Sequence, residues 1–129
     1  MTRRAVGGLL VTIAALAALA ACTDAGPVSG PGTIDAVLVS PHGAEGAALV
    51  VLTGEGIGRA VGLGDTDVYR SDGSGSTRVV LVNRVGGGLA FRIEMADTTR
   101  LPTAFVEQVA GPDDELRVDV AAYRLELLR

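Results

Sequence analysis

Few side chains in this chain can do chemistry, and they are thinly spread. There is one histidine, His42, and one cysteine, Cys22. His42 lies close to Ser40 and Asp35, which invites a nucleophilic triad, where a base takes the hydroxyl proton and an acid holds the ring. Yet Ser40 and His42 share one turn, and no Gly-x-Ser-x-Gly elbow occurs to present a nucleophile. A solvated turn histidine is the simpler reading. Asp65, Asp67 and Asp72-Gly73 are spaced like part of a calcium loop. Hard cations need several convergent oxygens, and an EF-hand needs glycine at its sixth position and glutamate at its twelfth. Counted from Asp65, those positions hold Arg70 and Ser76. What remains is an irregular site assembled across loops, with Asp65, Asp67 and Asp72 as its candidate ligands. Asp113-Asp114-Glu115 reads as a solvated acidic turn.

Two further chemistries fail on their spacing or their surroundings. Gly54–Gly64 is glycine-rich, but the sixth position from Gly54 is Arg59 and no P-loop lysine follows. Backbone freedom in turns explains these glycines better than a phosphate cradle. Paired carboxylates for glycoside hydrolysis could be drawn from the fifteen acids. Sugar sites usually offer aromatic platforms, however, and the chain has no Trp. Of Tyr69, Phe91, Phe105 and Tyr123, only Tyr69 is expected to face outward. No catalytic residue and no cofactor are assigned.

Cys22 is different, because its context is specific. Arg3 and Arg4 form a short positive region, Val6–Leu19 is apolar apart from Gly7, Gly8 and Thr12, and Leu19-Ala20-Ala21 leads directly to Cys22. The apolar part is short for a span of about 20 residues, and small residues precede the cysteine as a peptidase requires. Residues 1 to about 24 resemble bacterial lipoprotein signals. The resemblance implies export, cleavage before Cys22 and a diacylglycerol on its sulfur, with N-acylation often following. Two or three acyl chains anchor stably where one does not. The twin-arginine pattern is not completed around Thr2-Arg3-Arg4, so ordinary Sec export is expected. Thr23, where an aspartate would retain the protein at the inner membrane, would favour the outer membrane in a diderm cell.

Composition bounds what is anchored. The expected organisation is a signal peptide over 1–21, a tether over 22–32 that begins at lipidated Cys22, and one domain over 33–129. The leader takes two of the eleven basic residues and none of the fifteen acids, leaving nine arginines and a net charge near −6. That balance argues against nucleic-acid binding, which needs a basic footprint. With Cys22 acylated, no thiol remains for a disulfide, a metal or a nucleophile. The tether is rich in Pro, Gly and Ser and reaches at most about 35 Å when extended.

The domain reads as strands. Thr33–Ser40 alternates, with Ile34, Ala36 and Leu38 on one face. Ala47–Thr53 is a continuous apolar run that fits a central strand covered on both faces. Short strands are expected near Ile57–Val61 and Asp65–Arg70. Thr77–Asn83 and Leu89–Glu94 are expected to form a hairpin around Gly86-Gly87-Gly88. Thr103–Ala110 is a strand with a helix as the competing reading, and Phe105 and Val109 share a face in the strand. Leu116–Val120 alternates, slips at Ala121-Ala122, and resumes at Tyr123, which suggests a bulge or a change of sheet. Phe91, Phe105 and Tyr123 are expected in the core.

The fold class is therefore all-β: an antiparallel sandwich of seven to nine short strands, preceded by a signal helix. Residues 32–61 (GTIDAVLVSPHGAEGAALVVLTGEGIGRAV) resemble the opening of cohesin-like sandwiches. The ending AAYRLELLR is similar to small envelope lipoproteins. The cohesin resemblance implies an Ig-like sandwich and transfers no functional residue and no binding partner. The expected function is a non-enzymatic binding or scaffolding module, lipid-anchored outside the cytoplasm, with an envelope protein as partner. Its contact surface is sought at Gly54–Gly64 and Asp65–Ser76. The alternatives are an envelope hydrolase using acidic residues or a divalent cation, and a purely structural subunit of an envelope assembly.

Overall fold

The computed structural model describes residues 29–129. The leader, Cys22 and most of the tether lie outside the described residues. Those described form eight strands and no helix: β1 (Gly32–Val39), β2 (Glu45–Thr53), β3 (Ile57–Gly62), β4 (Thr66–Asp72), β5 (Ser76–Gly87), β6 (Ala90–Met95), β7 (Thr103–Ala110) and β8 (Arg124–Leu128). They make two four-stranded sheets, β3-β6-β1-β8 and β4-β5-β2-β7. All pairings are antiparallel. This is the expected all-β, sandwich-like arrangement.

Period-two alternation builds the core. Ile34, Ala36 and Leu38 of β1 and Phe91 and Ile93 of β6 are buried against Val50, Leu52, Val79 and Leu81 of the second sheet. Each fully buried aliphatic or aromatic side chain contributes about 1.5–3 kcal/mol over its exposed state. At Gly62, a Cβ would sit 1.8 Å from the Thr66 carbonyl oxygen, so the β3–β4 turn admits no side chain there.

Three expectations are corrected. Thr77–Asn83 and Leu89–Glu94 are not hairpin partners. β5 lies between β4 and β2, β6 lies between β3 and β1, and the chain crosses from sheet to sheet at Gly86-Gly87-Gly88. Gly86 has φ 75°, and the Asn83 amide donates to the Gly88 carbonyl at 3.1 Å, which turns the chain out of the sheet. Alternation fixes which face of a strand is inside; it carries no information on which strand lies beside it.

In β7 a register shift between Leu49 and Val50 of β2 leaves Glu107 as an extra residue. The bulge reverses the phase, so Val106 and Val109 are buried and Phe105, expected in the core, is 62% exposed. Finally, 111–123 is an irregular excursion rather than an alternating strand, with a single isolated β-bridge to the sheet, Ala110 to Leu116.

Candidate functional site

The structure does not bring the three candidate aspartates together. Asp65 is exposed in the β3–β4 turn. Asp67 lies on the outer face of β4, 3.5 Å from Arg84. Asp72 ends the same strand on the opposite phase, bonded by Arg70 at 2.9 Å and by the Thr77 hydroxyl at 3.0 Å. The Arg70 bond, then the Thr77 bond, hold the Asp72 carboxyl below the usual carboxylate range. Residues five apart on a strand face opposite sides, so Asp67 and Asp72 cannot share an ion. Among the described residues, no three Asp, Glu, His or Cys side chains converge as a metal site would require.

The triad components are also separated. Asp35 faces outward from β1 and takes two bonds from Arg92, at 2.7 and 3.1 Å. That pairing lowers the Asp35 carboxyl and raises the Arg92 guanidinium. The Ser40 hydroxyl donates to Glu45 Oε1 at 3.0 Å and accepts the His42 backbone N–H at 3.0 Å, so its proton points away from the imidazole. His42 is exposed, its ring centroid 6.0 Å from that of Tyr123.

A different cluster forms around Glu45, which the sequence did not single out. Glu45 opens β2, is 1% exposed, and is fully engaged. Its Oε1 accepts from Ser40 Oγ at 3.0 Å, from Tyr123 OH at 3.0 Å and from Arg117 Nη2 at 3.1 Å; Oε2 accepts from Arg117 Nε at 3.2 Å. Bonding to Glu45 raises the Arg117 guanidinium further. Burial, chiefly, pushes the Tyr123 phenol above its ordinary range; the Ser40 bond opposes this and the Glu45 bond adds to it.

The cluster joins three parts of the chain: the β1–β2 turn at Ser40, the head of β2 at Glu45, and the 111–123 excursion at Arg117 and Tyr123. Gly46 permits it, since a Cβ there would meet the Gly111 carbonyl oxygen at 2.6 Å. Both oxygens of this carboxylate are already held by donors and the side chain is 1% exposed, so no substrate reaches it. The arrangement is a clasp.

The surface feature of consequence is the outer face of the β4-β5-β2-β7 sheet. Register places its outward residues in rows. Tyr69, Val80, Leu49 and Gln108 form the middle row; Ser71, Arg78, Val51 and Phe105 lie on one side of it; Asp67, Val82, Ala47 and Ala110 lie on the other. The apolar run of β2 is thus central, as expected, but among the described residues no other layer covers its second face.

Tyr69 is 53% exposed and Phe105 more so, and both stand up from this face. At the other end, Ala47, Leu49, Ala110 and Leu116 line a shallow hollow of about 180 Å³. The face has one unsettled polar group. Glu107 reaches Arg78 at only 3.8 Å, and its buried Oε2 has no hydrogen-bond partner among the described residues. The outer face of the other sheet is salted instead with Asp35 and Arg92, Glu94, Glu126 and Arg124.

Of the contact surface expected at Gly54–Gly64 and Asp65–Ser76, most is built into β3 and β4; Asp67, Tyr69 and Ser71 reach the rows of the outer face, and of these only Tyr69 adds apolar surface. Comparison with protein-family models, with curated proteins and with solved structures finds no match to this chain.

Proposed function

We propose that this chain is a membrane-anchored, extracytoplasmic lipoprotein whose β-sandwich serves as a binding or scaffolding module of the cell envelope. The anchor reading is supported by Leu19-Ala20-Ala21-Cys22 at the end of a short apolar leader. The observation that carries the binding reading is the apolar outer face of the β4-β5-β2-β7 sheet. An open antiparallel sheet normally alternates apolar-in with polar-out. Here the outward residues of β2 between Glu45 and Thr53 are Ala47, Leu49 and Val51, with Tyr69, Val80 and Phe105 beside them. The largest contiguous apolar patch exposed on a soluble domain is often its interaction site.

Fractionation and crosslinking test the two halves separately. Cys22→Ser should abolish acylation and release the protein from the membrane; retention without cleavage at that residue would remove the anchor. Thiol-reactive crosslinking in intact cells through Val80→Cys should capture a second polypeptide. Thr33→Cys, on the outer face of the other sheet, should not. Equal yields from both positions would remove the binding face.

A further inference from the structure

We propose that the occupant of the apolar face is a second copy of this chain, packed face to face across a two-fold axis that runs through the row of Leu49; this rests on reading that face as a binding surface. The argument is self-complementarity. Phe105 pairs with Val51, and Ala110 pairs with Ala47. Val51 and Ala47 lie two residues to either side of Leu49, so Phe105 and the hollow at Ala110 and Leu116 are equidistant from it. A two-fold axis in the plane of the face, crossing the strands at Leu49, lays each strand over its own counterpart with direction reversed. Phe105 of each copy then enters the other's hollow. Isologous contacts demand that knob and hole occur on one patch in this relation.

The charges obey the same operation. Arg78 lies in the row of Val51, and Asp67 lies in the row of Ala47, one strand over. Rotation brings Arg78 of one copy over Val82 of the other, with Asp67 about 4.8 Å to the side. Both groups are free to respond. Within one chain, Arg78 and Asp67 are more than half exposed and hold their partners at 3.8 and 3.5 Å. Gln108 of each copy meets its counterpart next to Glu107, which offers an amide donor to the unpartnered Oε2.

Packed sheets lie about 10 Å apart, a gap that a phenylalanine and a hollow of small residues fill. Four strands and residues 47–51, the span symmetric about Leu49, give a flat footprint of about 300 Å² per copy. That is below the standard size of a specific interface, so the dimer is a weak one. Two copies tethered to one bilayer meet at a raised effective concentration, which suits a weak contact.

The test uses the full chain in the membranes of expressing cells. Gln108→Cys, treated with a bis-maleimide matched to the roughly 10 Å gap, should give a species of twice the chain mass, and Thr33→Cys should not. Phe105→Glu in that background should cut the yield about tenfold, as loss of an aromatic anchor does. Phe105 is exposed in the single chain, so its melting temperature should hold. Arg78→Asp and Asp67→Arg should each weaken the dimer, and coexpression of the two should restore it as a mixed dimer, a rescue that misfolded variants cannot give.

A Gln108→Cys yield no greater than that of Thr33→Cys, or failure of the charge-swapped pair to recover, overturns the proposal. If position 108 is instead linked to a polypeptide of another mass, the second copy is excluded and the binding face stands. If positions 108 and 80 link to nothing, both fall.

Discussion

Two glutamates in this domain are held in opposite ways. Glu45 is buried, and its carboxylate takes four hydrogen bonds from Ser40, Tyr123 and Arg117. Glu107 sits in a bulge at the edge of the apolar face with one distant arginine and an oxygen that has no hydrogen-bond partner among the described residues. Taking a carboxylate out of water costs several kcal/mol unless other groups replace the lost solvation. At Glu45 they do, and the site is closed to anything else. At Glu107 water still reaches a side chain that is 35% exposed, and only its Oε2 is buried without a hydrogen-bond partner among the described residues. A dense polar cluster is therefore the less promising functional site of the two. The open face, poor in polar groups and incompletely satisfied, is where a partner would be expected.

Removing the cation from each pair separates them most widely. Arg117→Leu strands Glu45 in the interior, and breaking a buried pair in this way costs about 3–5 kcal/mol. For a domain of this size that lowers the melting temperature by about 12 °C or more. Arg78→Leu removes an exposed, long ion pair worth about 0–1 kcal/mol. Thermal unfolding monitored by circular dichroism checks both, and similar losses would erase the contrast.

Neutralising the acids gives a smaller version of the same test. Glu45→Gln keeps the shape but weakens bonds that involve a charged acceptor, at about 1.5–3 kcal/mol. Glu107→Gln should fall within about 0.5 kcal/mol of the parent, as surface substitutions usually do. Urea midpoints would show it, and a large loss at Glu107 would mean that the bulge needs its charge. Tyr123→Phe removes one of three donors to Oε1 while keeping the buried ring, at about 1 kcal/mol.

How far these features can be read from the sequence depends on how local their causes are. Strand positions follow from alternation within eight or nine residues, so the strands near Ile34, Val50, Val79, Phe91 and Val106 are all legible. The face of Phe105 is not, because one extra residue at Glu107 reverses the phase and nothing in TAFVEQVA announces the bulge. The β5–β6 crossing is illegible for a related reason: a strand's own pattern does not name its neighbour. Glu45 was missed because its burial is made elsewhere, by Arg117 and Tyr123, 72 and 78 residues away. The local clue was slight, a carboxylate between Ala44 and Gly46 at the head of an apolar strand. The apolar face was visible as the continuous run of β2, but that run suits a doubly covered strand equally well. Only the topology shows that no second layer covers it among the described residues.

The smallest effects lie in the pH dependence. Asp35, Asp72 and Asp97 have carboxyls lowered by Arg92, by Arg70 with Thr77, and by the Thr99 hydroxyl and amide. A lowered folded-state value means the unfolded chain binds the proton more readily, so the stabilisation is complete above about pH 4 and fades as pH falls through the folded values. All three groups lie at the surface, so the acid limb should be shallow and weaken further with salt. Tyr123 has the opposite sign. Its phenol is raised mainly by burial, so its contribution is full below about pH 10 and is lost as pH rises through the folded value. The onset of the alkaline limb, just above about pH 10, should therefore belong to Tyr123 in the Glu45 clasp. In Tyr123→Phe, stability should become flatter with pH above about 10, while the acid limb is unchanged. If the alkaline limb survives that substitution intact, the fall in stability originates outside the clasp.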